Sequence, residues 1–253
     1  MGILVLLGLG GLGAAAYLLM RPRSASAASS RSPREELRGA RNSFLTVDGE
    51  RVLIFGDSLS HPGSDTGPTI IDLDGDPGAA SSSAPGAVLG ARLLAGTDTG
   101  GQRARAVRLN ARVGRSARSF LFREDGASLI ARDKAWEPTK VIVMLGTNDI
   151  DRGMGATALG QTKDALKQIR DMYRAMGAEV VAIGPPAYRN AKYTQSVPAM
   201  LVAMREVFGA DRVLDAQPLT LGAGRSGDGV HFTQAGAALA GKQLAQGLTG
   251  GSS

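Results

Sequence analysis

Four short stretches of the chain carry residue types that can do acyl-transfer chemistry. Gly56-Asp57-Ser58-Leu59 offers a hydroxyl at the end of the apolar run Val52–Phe55. Asn110–Ser116 holds Gly114 just past a second apolar run. Val141–Asp149 closes a third run with Gly146, Thr147 and Asn148, and Gly227–Thr233 sets Asp228 three residues before His231. A serine hydroxyl is a weak nucleophile until a neighbouring base takes its proton. His231, one of 2 histidines, can be that base near neutral pH. Asp228 is close enough in sequence to hold the imidazole tautomer from the same loop. The reaction also needs donors for a developing oxyanion. The candidates are the Ser58 amide, the Gly114 amide and the Asn148 side chain. Asp57 and Asp149 are expected to brace the first and third stretches through backbone hydrogen bonds.

The elements that must position these residues follow from hydrophobic periodicity. From about Thr46, short apolar runs alternate with helical patterns, the signature of a parallel α/β sheet. Strands are predicted at Val52–Phe55, Ala106–Asn110, Val141–Leu145, Val180–Ile183 and Val213–Asp215. Short apolar runs of this kind suit strands buried on both faces. Leu159, Thr162, Leu166, Ile169, Tyr173 and Met176 recur at spacings of three and four and predict a helix face, with Thr157 as its N-cap and Gly177 at its end. Thr233–Leu248 predicts the last helix. Pro62–Pro85 is long and polar for the link between a first strand and its helix, and reads as an inserted loop.

Each stretch alone has a bland reading. Gly-Asp-Ser-Leu is an ordinary turn sequence. Gly146–Asp149 suits a helix cap, and Asp228–His231 a turn with a surface histidine. Their joint order, each after a predicted strand or before a predicted helix, points to one hydrolase site. His61 reads as a loop histidine. Asp72–Asp76 begins like a calcium loop but has Pro77 where glycine is needed and Ser83 where glutamate is needed. It reads as an acidic solvated loop, and no metal or cofactor is expected. Arg103, Arg105, Arg108, Arg112, Arg115, Arg118 and Arg123 crowd the second stretch. They read either as solvated charges or as a basic rim for anionic substrates.

The four stretches resemble the SGNH (GDSL) hydrolases, named for Ser, Gly, Asn and His in four blocks. Ser58, Gly114, Asn148 and His231 stand in that order, with Asp228 at the family's Asp-x-x-His spacing. The resemblance spans about Val52 to Leu248. It implies a flavodoxin-like three-layer α/β/α fold with a five-stranded parallel sheet. It also implies ester hydrolysis by a Ser58–His231–Asp228 triad with a Ser58/Gly114/Asn148 oxyanion hole and no cofactor. Asp228–Gly236 looks closest to bacterial envelope members that act on acetylated carbohydrates. The expected activity is therefore a serine esterase removing small acyl groups, acetyl foremost. The alternatives are lysophospholipase or thioesterase action at a membrane, O-acyl transfer, and a non-catalytic binding module on the same fold.

Composition narrows the classes. Of 253 residues, 43% are hydrophobic and 4% aromatic, and the net charge is +6. The chain can build a substantial core, and nothing in it suggests a nucleic-acid partner. It has 0 cysteines, which excludes disulfides and cysteine nucleophiles. Gly2–Met20 is uncharged and just long enough to cross a bilayer as a helix. Residues 1–20 are read as an anchor or a signal segment, 21–46 as a Ser/Arg/Ala-rich linker and 47–249 as the hydrolase domain. A membrane-anchored or secreted enzyme of the cell envelope is expected. Arg21 and Arg23 would hold the domain inside if the segment is an anchor, whereas a cleaved signal would export it; both remain open at this level.

Overall fold

Val52, Leu53, Ile54 and Phe55 are all fully buried, which a strand permits only when both faces of its sheet are covered. The computed structural model describes residues 44–63, 69–73, 77–122 and 125–251. The expected anchor, most of the linker, Asp74–Asp76 and Arg123 lie outside the described residues. Strands β1 (Arg51–Gly56), β2 (Thr69–Asp72), β3 (Ala106–Ala111), β4 (Lys140–Met144), β5 (Glu179–Ile183) and β6 (Val213–Leu214) form one sheet in the order β2-β3-β1-β4-β5-β6. Five of them are parallel, as expected, while β2 pairs antiparallel with β3 at the edge. The segment read as a long polar inserted loop therefore supplies a sixth strand. Four residues against one neighbour leave no alternation long enough to detect in sequence.

The helices are α1 (Pro85–Ala95), α2 (Ala117–Phe122), α3 (Asp125–Trp136), α4 (Thr147–Asp151), α5 (Ala156–Arg174), α6 (Ala191–Phe208), α7 (Ala216–Thr220) and α8 (Gln234–Thr249). Successive β1 residues point to opposite faces. Leu53 and Phe55 join residues of α2, α3, α5 and α6 in one core cluster. Val52 and Ile54 join residues of α1, α7 and α8 in another. The result is the three-layer α/β/α architecture. Phe55 meets Phe120 and Tyr173 edge-on, with ring centroids 4.8 and 5.5 Å away.

Helix α5 buries Thr162, Leu166, Ile169 and Tyr173 on the expected face. It starts one residue before Thr157, so Gly155 occupies the N-cap without a side-chain bond. Thr233 does cap α8, accepting the Gly236 N–H at 3.1 Å. Ahead of residue 47, Leu45 is buried and its N–H donates to Leu248 O at 2.7 Å.

Strand order places the site. β1 pairs with β3 on one side and β4 on the other, with Gly56 level with Ala111 and Met144. Chain order reverses direction between β1 and β4, the switch point where open α/β sheets bind ligands. Ser58, Gly114 and Asn148 follow these three strand ends and so emerge at one edge of the sheet.

Candidate active site

The elbow that carries Ser58 is held from behind. Gly56 has no room for a side chain, because a Cβ there would lie 2.2 Å from Ser60 Oγ. Asp57 is 1% exposed, and its Oδ1 accepts the Leu59 N–H at 2.9 Å. The Ser60 N–H donates to Asp57 O at 3.0 Å, closing the turn. Burial pushes the Asp57 carboxyl up to about 7, against the Leu59 N–H and the Thr147 hydroxyl, which favour the charged form. Its buried Oδ2 makes no hydrogen bond.

The loop before α8 shapes itself around Asp228. Asp228 Oδ1 accepts the Ser226 hydroxyl at 2.7 Å, the Val230 N–H at 2.9 Å and the His231 N–H at 3.0 Å. Its Oδ2 lies 2.5 Å from His231 Nδ1. Partial burial raises the Asp228 carboxyl, but the His231, Ser226 and backbone hydrogen bonds outweigh it and hold the group well below the usual carboxylate range. A carboxylate that stays ionised fixes the proton on Nδ1 and turns Nε2 toward its target. His231 Nε2 lies 3.0 Å from Ser58 Oγ. Arg225 fastens the loop to the body: its guanidinium stacks over Phe232 and donates to Val230 O and Ala187 O.

The second and third stretches interlock. The Arg115 N–H donates to Arg112 O at 3.2 Å, making a turn with Gly114 at its third position. Gly114 has φ +73°, a conformation that side-chain-bearing residues adopt only under strain. The Asn148 Nδ2 donates one hydrogen to Arg115 O at 3.0 Å, leaving its second N–H as the candidate oxyanion donor. Arg152 donates to Gly114 O and to Ser116 Oγ, at 3.1 and 2.8 Å. Asp149 is fully buried and accepts the Ala117 N–H at 2.8 Å, which ties α4 to the start of α2. Arg118 and Thr162 also donate to it.

Of the arginines crowding the second stretch, Arg103, Arg105, Arg108, Arg115 and Arg118 do not build a basic rim. Arg103 and Arg105 precede β3 and sit at the opposite sheet edge from Ser58. Arg108 pairs with Asp72, with Nε 2.5 Å from Oδ1. Arg115 is buried and Arg118 turns in to Asp149. His61 is buried, with Nδ1 2.9 Å from Gly63 O, and is a loop histidine in this sense. Sequence reasoning missed Ser226, Arg152 and the Thr147–Tyr188 hydroxyl pair, 2.8 Å apart. Ser226, two residues before Asp228, was open to a local reading. The other contacts join distant segments and carry no sequence signal.

Fold and site together define an ester hydrolase of the three-layer α/β/α kind. The sequence model of the GDSL-like lipase/acylhydrolase family matches residues 54–239, and the chain belongs to that family. No curated protein matches the chain significantly. Among solved structures it is similar to LAE5, an alpha/beta hydrolase enzyme from the metagenome of Lake Arreo, Spain: 18% identity, 82% of this chain and 99% of that one covered, TM-score 0.56. It is also similar to Axe2, an acetylxylan esterase from Geobacillus stearothermophilus: 16% identity, 81% and 96% covered, TM-score 0.57. At these identities the likeness shows the fold.

Proposed function

We propose that the protein is a serine esterase that removes small acyl groups, acetyl foremost, from a cell-envelope carbohydrate. The observation that carries the proposal is the contact of His231 Nε2 with Ser58 Oγ at 3.0 Å, backed by Asp228 on Nδ1. His231 Nε2 takes the Ser58 proton as Oγ attacks the ester carbonyl carbon. Negative charge moves to the carbonyl oxygen, where the Ser58 N–H, Gly114 N–H and Asn148 Nδ2 stabilise it. The intermediate collapses, the C–O bond to the alcohol breaks, and His231 returns its proton to the leaving alkoxide. His231 then deprotonates a water, which attacks the acyl-enzyme. The carboxylic acid leaves and the proton returns to Ser58 Oγ. Asp228 remains a carboxylate throughout and pairs with the imidazolium.

The acetyl-carbohydrate part draws on the sequence around His231 and on the likeness to an acetylxylan esterase. The envelope location draws on the apolar segment Gly2–Met20. Among the described residues no helix is long and apolar enough to cross a membrane. The test is a panel of acetyl, butyryl and longer esters, with acetylated glycans, on wild type and Ser58→Ala. Turnover falling with acyl length, lost in Ser58→Ala together with fluorophosphonate labelling, is expected. Unchanged activity in Ser58→Ala would eliminate the proposed nucleophile.

A further inference from the structure

Arg115 carries a buried cation inside the second of the four segments, and it touches the first through its guanidinium and the third through its backbone carbonyl. Arg115 is 3% exposed. Its Nη1 donates to Asn110 O at 2.7 Å and to Gly56 O at 3.1 Å, and its Nη2 donates to Asn110 Oδ1 at 3.0 Å. The guanidinium carbon lies 4.6 Å from the Phe55 ring centroid and 5.3 Å from that of Phe120. Gly56 ends β1 two residues before Ser58, and Asn110 is the penultimate residue of β3, opposite Phe55 in register. Arg115 O accepts the Asn148 side chain. Asn110 is itself oriented: its Nδ2 donates to Asp133 Oδ2 at 2.6 Å, and the Tyr173 hydroxyl donates to the same oxygen at 2.7 Å.

A buried guanidinium is a costly way to fill space. Well-packed apolar residues of similar volume often match or exceed the stability of buried charges. With no solvent face, Arg115 also cannot contact an anionic substrate directly. What it does uniquely is pin the carbonyls of two neighbouring strand ends with a rigid fork of donors, while its own carbonyl sets the direction of Asn148.

We propose that Arg115 is a positioning residue for this site: its guanidinium locks the ends of β1 and β3, and its carbonyl fixes Asn148, so that the three oxyanion donors keep one spacing. The proposal rests on the reading of Ser58, Gly114 and Asn148 as those donors. It predicts a defect in transition-state stabilisation rather than in substrate binding.

The test compares wild type, Arg115→Met, Arg115→Lys and Ser58→Ala on p-nitrophenyl acetate, with thermal melts on each. For Arg115→Met, kcat per folded molecule should fall about 10–100-fold, the scale of a small misplacement of catalytic groups. KM should stay within roughly threefold, the pH midpoint should not move, and the inhibition constant of a trifluoromethyl ketone should rise with the loss in kcat/KM. Arg115→Lys keeps the charge but not the fork and should lose about tenfold; it decides the matter if Arg115→Met does not fold. Wild-type kcat in the folded variants beside an inactive Ser58→Ala would overturn this assignment alone. Failure of both Arg115 variants to fold would also overturn it, since the role would then be stability. Activity retained in Ser58→Ala would remove the reading on which it rests.

Discussion

His231 Nε2 and Ser58 Oγ stand 3.0 Å apart although 173 residues separate them in the chain. Each is aimed by local contacts. Asp57 and Gly56 shape the elbow under Ser58, and Asp228 shapes the loop around His231. The sheet then brings the two finished pieces together. Positioning of this kind is what turns an ordinary hydroxyl into a nucleophile.

Asp228→Asn should lower kcat by about 10⁴-fold, because the amide no longer fixes the Nδ1 proton or pairs with the imidazolium. Steady-state kinetics at neutral pH checks this. The same substitution should remove an acid-sensitive contribution to stability. The folded-state carboxyl titrates below its usual range, so the contribution is full above about pH 4 and is lost as pH falls through the depressed value. With a side chain 49% exposed, screening keeps it below about 1 kcal/mol. Urea unfolding of both proteins at pH 3 and pH 6 measures the difference.

Asp57 has the opposite sign. Its carboxyl is raised to about 7 in the folded state. Between about pH 4 and that value the folded protein holds a proton that the unfolded chain releases, so stability falls as pH rises. The loss approaches 3–4 kcal/mol, on the order expected from the size of the change. Asp57→Asn keeps an acceptor for the Leu59 N–H and does not titrate. Its unfolding free energy should decline less than that of wild type between pH 5 and pH 8. Parallel declines in the two proteins would refute the assignment.

Asp149→Ala should destabilise the protein by roughly 2–4 kcal/mol. It strips a buried acceptor from the Ala117 N–H, the Thr162 hydroxyl and Arg118. Because α4 and α2 are joined through this carboxylate, kcat should fall as well. Denaturant unfolding paired with kinetics on the folded fraction separates the two effects.

Thr233→Ala should cost about 1 kcal/mol by removing the N-cap of α8. Thr233 lies two residues after His231, but the loop is held from Asp228 and Arg225, so kcat should change by less than about threefold. A larger loss would mean that the helix start helps hold the imidazole.

Much of the fold was legible because buried parallel strands are continuous apolar runs and α5 repeats its apolar residues at helical spacing. Val52–Phe55, Ala106–Asn110 and Val180–Ile183 each lie inside an observed strand. β2 was not legible, since a four-residue edge strand owes its existence to β3 rather than to its own pattern. Thr157 suits an N-cap by type, yet α5 begins at Ala156, after a glycine. The arginines show the same limit from another side. Composition counts them alike, whereas packing buries Arg115, pairs Arg108 with Asp72 and leaves Arg105 in solvent.

By itself the sequence determined which side chains are available, how strands and helices alternate, and that Asp228 can serve His231 three residues away. These are local matters, decided by residue type and spacing. Only the tertiary structure decided that Ser58 meets His231, that Asn148 is held by the carbonyl of Arg115, and that Arg115 faces inward. Such contacts join segments whose separation in the chain says nothing of their separation in space. They follow from strand order and register, which the whole core selects at once.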